Sequence, residues 1–200
     1  SYQNAAKVPL LIGVDEEGGT VNRVSKNANL RETPFASPQE LYAQGGWDLI
    51  RSDTQEKCQL LQNLGINLNF AFIYARSFGQ DAEQTAVYVQ TVVGVMSEEH
   101  MGSVLKHFPG YGNNSDTHTG VAYDERPYET FVNSDFLPFQ AGIDAGADMV
   151  LVSHNVVSCM DDQEPASISL PVHNILRNEL GFDGVIITDD LVMEGVRQFA

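Results

Sequence analysis

Five short apolar runs, each closed by polar residues and separated by longer amphipathic stretches, leave this chain few architectures. Residues 8–14 (VPLLIGV), 66–70 (INLNF), 103–108 (SVLKHF), 149–153 (MVLVS) and 185–188 (VIIT) read as strands, because they are short, apolar and rich in β-branched side chains. Residues 39–64, 82–96, 130–145 and 172–180 read as helices. In the first of these, Leu41, Leu49, Ile50, Cys58, Leu61 and Leu64 recur at helical spacing, and Gly65 ends it. Strands that are apolar throughout are covered on both faces. Strand and helix in alternation imply a parallel sheet, either open or closed into a barrel.

The polar residues at the strand ends decide between those two. Asp15 follows the first run and Asn67 and Asn69 lie in the second. Lys106 and His107 belong to the third, Ser153 and His154 to the fourth, and Asp189 and Asp190 follow the fifth. A βα-barrel builds its site on the rim formed by all the strand C-termini, whereas an open sheet gathers its chemistry at one switch point. The expected fold is therefore α/β, a (β/α)8 TIM-like barrel. Five strands do not close eight, so residues 1–200 are expected to form one barrel domain that is incomplete in the sequence given.

Charge and cysteine usage remove whole classes of function. With 27 acidic and 11 basic residues the formal net charge is -16, which opposes binding to nucleic acid or anionic membrane surfaces but not to a neutral sugar. No apolar run approaches the ~18 residues of a membrane span. Cys58 and Cys159 are too few for a disulfide framework, and Cys58 is expected as a buried thiol. The five histidines (His100, His107, His118, His154, His173) form no HxxxH or HxH pair with a third ligand, so neither a metal nor a cofactor is expected. GxGxxG, GK[ST] and GxSxG are all absent. The first residue is Ser1, with no charged n-region or h-region after it, and the sequence fixes neither compartment nor oligomeric state.

Four stretches carry candidate chemistry. In KHFPGYGNNSDTH, Lys106 and His107 leave a strand, glycines and Pro109 turn the chain, and Asp116 stands two residues before His118. An Asp that orients an imidazole makes a general acid/base, because His titrates near neutral pH; the same pair also suits a solvated loop with an Asx-turn. In TDDLVME, Asp189 at the strand end suits a nucleophile, and Asp190 suits a helix cap. In DEEGGTVNR, Asp15 and Arg23 flank a glycine turn and can accept from and donate to sugar hydroxyls, or form a surface ion pair. Arg76 in ARSFG and His154 in SHN complete the set, the first equally readable as a surface residue and the second as a satisfied rim histidine.

Taken together, DEEGG with Arg23, ARSFG, KHFPGYG, SDTH and ITDDLVMEG resemble glycoside hydrolase family 3, in its bacterial β-N-acetylglucosaminidase branch, and they occur in that family's order. The resemblance implies a (β/α)8-like barrel and a retaining β-N-acetylhexosaminidase of a bacterium acting on peptidoglycan-type or chitin-type oligosaccharides, with the compartment left open among cytoplasm, cell envelope and secretion. By position it implies Asp189 as nucleophile, His118 as acid/base backed by Asp116, and Asp15, Arg23, Arg76, Lys106 and His107 as sugar-binding residues. His154 joins them as a candidate from its strand-end position. The family's β-glucosidases and phosphorylases, a non-catalytic sugar-binding barrel, and an aldolase-type barrel with Lys106 as Schiff base are the rival readings. Two departures stand out: about ten residues are expected to be absent near 71–72, and so are a strand before VPLLIGV and two after ITDD.

Overall fold

The structure is a computed structural model that describes residues 2–70, 78, 81–112 and 120–199. Local signals in the sequence start its helices. Ser37 caps the long helix in a reciprocal box, its hydroxyl accepting from the Glu40 amide at 3.3 Å while the Glu40 carboxylate accepts from the Ser37 amide at 2.9 Å. Asp81 and Ser169 do the same for two later helices, accepting from the amides of Gln84 at 2.8 Å and Val172 at 3.3 Å.

The elements run α1 (Tyr2–Ala5), β1 (Gly13–Val14), α2 (Pro38–Asn63), β2 (Leu68–Asn69), α3 (Ala82–Glu98), β3 (Gly102–Phe108), β4 (Tyr123–Asp124), α4 (Tyr128–Thr130), α5 (Phe136–Asp144), β5 (Met149–Val152), β6 (Val156–Val157), α6 (Leu170–Asn174), β7 (Val185–Thr188) and α7 (Glu194–Arg197). Five strands form one parallel sheet in the order β1-β2-β3-β5-β7. A second, two-stranded parallel sheet pairs β4 with β6. Sequence patterning did not show it, because two-residue strands have no period.

The sheet has two differently covered faces. Leu105, Phe108, Val150 and Val152 point to the helical layer, where α3 packs between α2 and α5. Leu68, Val104, Met149 and Leu151 point the other way and form a small separate cluster with Phe70 and Ile187. This is the two-residue alternation of extended chain. It explains why the strands look apolar throughout.

Several expectations are adjusted. The first strand is confined to Gly13–Val14, and Val8 and Leu11 are exposed. The Asn67 side chain fastens the residues before that strand, accepting from the Ile12 amide at 2.8 Å and donating to the Leu10 carbonyl at 2.8 Å. The expected helix 39–64 is broken at Gly46, whose φ of 60° and ψ of -149° are not helical. Leu64 is exposed, while Asp53, Thr54 and Lys57 are buried on the same helix. The helices expected over 130–145 and 172–180 each contain a five-residue π-helical turn, at Phe131–Asp135 and Ile175–Glu179. No described helix is long and apolar enough to cross a membrane.

Candidate active site

Strand parity sets which side chains reach the C-terminal edge of the sheet on the face of the small cluster. Lys106 lies two residues beyond Val104, Asp189 two beyond Ile187, and Asp15 two beyond Gly13, where an added Cβ would meet Leu68 and Phe70 of that face. The Lys106 ammonium accordingly sits 5.6 Å from the centre of the Phe70 ring. It pairs with Asp15 and, at 3.2 Å, with Glu17. Lys106 and Glu17 are buried there, and Asp15 is about one-third exposed.

His107 would point to the opposite face if β3 were regular. Instead, β3 and β5 shift register between Lys106 and Phe108: Lys106 pairs with Leu151 and Phe108 with the very next residue, Val152. The extra residue is His107. Such a bulge lets two consecutive polar side chains serve the same edge. The His107 Nε2 lies 3.7 Å from Asp189 Oδ2, and its ring meets Tyr111 edge-on at 5.6 Å. The peptide bonds Lys106–His107 and Phe108–Pro109 are cis.

Asp189 is partly exposed, and its carboxylate is held from one side. The Asp190 amide donates to Asp189 Oδ1 at 2.9 Å, which leaves Oδ2 toward His107. A partly exposed carboxylate at a strand end, on the same sheet face as the Lys106–carboxylate cluster, can act as a nucleophile or accept a ligand hydroxyl. Among the described residues no three His, Cys, Asp or Glu side chains converge to hold a metal.

The loop after β1 is built around an acid that the motif reading passed over. Glu16 is fully buried, and its carboxylate accepts from the amides of Arg23 (2.8 Å), Val24 (2.7 Å) and Ser25 (3.1 Å). The Glu16 amide donates to the Asn69 side chain at 3.0 Å. Arg23 is thereby fixed through its backbone while its side chain is exposed. Below this loop Lys57 pairs with buried Asp53 and donates to the Glu17 carbonyl at 3.1 Å. Burial pushes the Asp53 carboxyl above its usual range, against the pull of Lys57.

The loop after β3 is fastened by a second unanticipated group. Arg126 pairs with Asp124 at 2.7 Å and with Asp135 at 3.0 Å, and donates to the Gly110 carbonyl at 3.3 Å. Its guanidinium lies 4.3 Å from the centre of the Phe131 ring. Burial raises the Asp135 carboxyl above its usual range, with Arg126 opposing. Asp116, His118 and Arg76 lie outside the described residues, as does the expected gap near 71–72.

This chain matches the glycosyl hydrolase family 3 N terminal domain over residues 1–200. It belongs to that family. Its described strands are part of the TIM-barrel-like α/β fold of the domain. The family 3 chain is 36% identical over 203 residues to a beta-hexosaminidase of Xanthomonas campestris pv. campestris (strain B100), covering 94% of this chain and 61% of that protein. It thus spans about three-fifths of the length of such curated relatives. Among solved structures it superposes on a glycoside hydrolase family 3 beta-N-acetylglucosaminidase from Paenibacillus sp. str. FPU-7, with a TM-score of 0.86 at 31% identity over 96% of this chain and 39% of that one. A beta-N-acetylhexosaminidase from Beutenbergia cavernae DSM 12333 gives 0.83 at 30% identity, covering 96% of this chain and 62% of the other.

In the family 3 chain, Asp15, Lys106, His107 and Asp189 share one edge of the sheet. His154 does not open onto that edge, contrary to the substrate-binding place expected for it. It is fully buried, with Nδ1 2.7 Å from Ser167 Oγ and Nε2 2.9 Å from the Asp190 carbonyl, so both ring nitrogens are spent inside the protein. Asp190 does not cap a helix either. Its carboxylate accepts from the Val192 amide at 3.1 Å, which closes an Asx-turn ahead of α7.

Proposed function

We propose that the protein containing this chain is a retaining β-N-acetylhexosaminidase that removes terminal β-N-acetylglucosamine from peptidoglycan-type or chitin-type oligosaccharides. The observation that carries the reading is Asp189, a partly exposed carboxylate at the end of β7 on the same sheet face as the Asp15–Lys106 pair. The names of the family 3 relatives support the choice of sugar. Residues 1–200 serve as the catalytic barrel domain in this reading.

In the first step Asp189 Oδ2 attacks the anomeric carbon, and protonated His118 gives its proton to the departing glycosidic oxygen. A covalent glycosyl-aspartate results. Neutral His118, oriented by Asp116, then takes a proton from water, whose oxygen displaces Asp189 and returns the sugar with its original β configuration. Asp15, Arg23, Arg76, Lys106 and His107 hold the sugar. A histidine acid/base keeps a second negative charge away from the nucleophile.

The test is hydrolysis of an aryl β-N-acetylglucosaminide beside the matching β-glucoside, with and without phosphate, using protein from the complete gene. Strong preference for the N-acetyl substrate in water is expected. Turnover of the glucoside alone, or dependence on phosphate, overturns the assignment.

A further inference from the structure

The turn that carries Asp189 is tied on one side to β5 and on the other to the segment that follows β5. The Asp189 amide donates to the Val152 carbonyl at 3.0 Å, extending the β5–β7 pairing by one step. One residue later the Asp190 carbonyl meets His154 Nε2 at 2.9 Å, and it also accepts from the Met193 amide at 3.0 Å. A carbonyl can only accept, so Nε2 carries the hydrogen. In the tautomer with the hydrogen on Nε2, Nδ1 accepts from the Ser167 hydroxyl at 2.7 Å. Ser167 is itself buried and fixed, its amide donating to the Ser153 carbonyl at 2.9 Å.

This chain of contacts leads from a rigid strand to the peptide that orients Asp189. With Val152 behind it and His154 ahead of it, the backbone of Asp189 has little freedom left. The Asp190 amide, in the peptide unit next to the one whose carbonyl His154 grips, in turn directs Asp189 Oδ1 at 2.9 Å. We infer that His154 is a positioning residue: its Nε2–H, set by the accept-only Asp190 carbonyl, holds the 189–190 turn so that the Asp189 carboxylate faces the sugar, and Ser167 anchors the ring at Nδ1. The inference rests on the proposed role of Asp189 as nucleophile.

Gln and Asn separate this role from mere filling of space. The Gln side-chain amide reaches the position of Nε2, whereas the Asn amide reaches only that of Nδ1. In protein from the complete gene, H154N is expected to lower kcat for an aryl β-N-acetylglucosaminide by about 100-fold, the scale of a nucleophile misplaced by about 1 Å. KM should change little, and H154Q should recover most of the loss. Hydrogen exchange provides a readout that needs no activity: the amide of Met193 should exchange faster in H154N than in wild type or H154Q. Wild-type kcat in H154N, equal loss in both variants, or unchanged Met193 exchange in H154N overturns the inference. If Met193 exchange responds as expected while the wild type cleaves no N-acetylglucosaminide, the proposed function falls and the hold on the turn stands.

Discussion

At the residue scale, the proposed chemistry turns on Asp189 and on the groups that limit its motion. One carboxylate oxygen takes the Asp190 amide and the other lies 3.7 Å from His107 Nε2. As the proposed nucleophile, Asp189 should be indispensable: Asp189→Ala should lose at least about 1,000-fold in kcat, as activated nucleophiles generally do. Azide should partly restore turnover in this variant and give a glycosyl azide of inverted configuration, readable by NMR of the product. His118→Ala should slow substrates with poor leaving groups far more than activated aryl glycosides, and parallel loss on both would remove it from the acid/base role. The Asp189–Asp190 doublet of TDDLVME is ambiguous in sequence, but parity with Ile187 singles out Asp189 as the inward acid. Parity could not place His107, because the β3 bulge arises from pairing with β5.

Elements were legible where a local signal marks them and hidden where one does not. Ser37, Asp81 and Ser169 announce helix starts with side chains that bond nearby amides. The break in α2 is different, since nothing in the apolar spacing of 39–64 requires it. Gly46 adopts a backbone conformation closed to other residues, so Gly46→Ala should cost about 1–3 kcal/mol in chemical denaturation. The π-helical turn Phe131–Asp135 ends on Asp135, which holds Arg126 and through it Gly110. Because burial raises the Asp135 pKa above 3.8, the folded state binds this proton more tightly than the unfolded chain. Its contribution is fully present below pH 3.8 and is lost as pH rises through the elevated folded value. Thermal unfolding followed upward from pH 3.8 should therefore show a shallower decline in stability for Asp135→Asn than for wild type.

For the whole molecule, a polar network links the helical layer to the edge of the sheet. Asp53 and Lys57 on α2, the Glu17 carbonyl, the Glu17 carboxylate, Lys106 and Asp15 form one connected series. Removing one partner of a buried pair strands the other's charge. Lys57→Met should therefore destabilise by roughly 3–5 kcal/mol, and the double change with Asp53→Asn should recover part of it. A loss in the double variant equal to the sum of the losses in Lys57→Met and Asp53→Asn would show that the two groups are not coupled.

The sequence by itself determined the alternation of strands and helices, the parallel sheet and the gathering of Asp15, Lys106 and Asp189 at strand ends, because apolar runs and the polar residues that close them are properties of neighbouring residues. Only the tertiary structure decided which polar side chains are interior supports. Glu16 finds Asn69 53 positions away, Lys106 finds Asp15 at 91, and His154 finds the Asp190 carbonyl at 36. A buried polar group is stable only with its partner in place. No local pattern reveals that partner before the chain has folded.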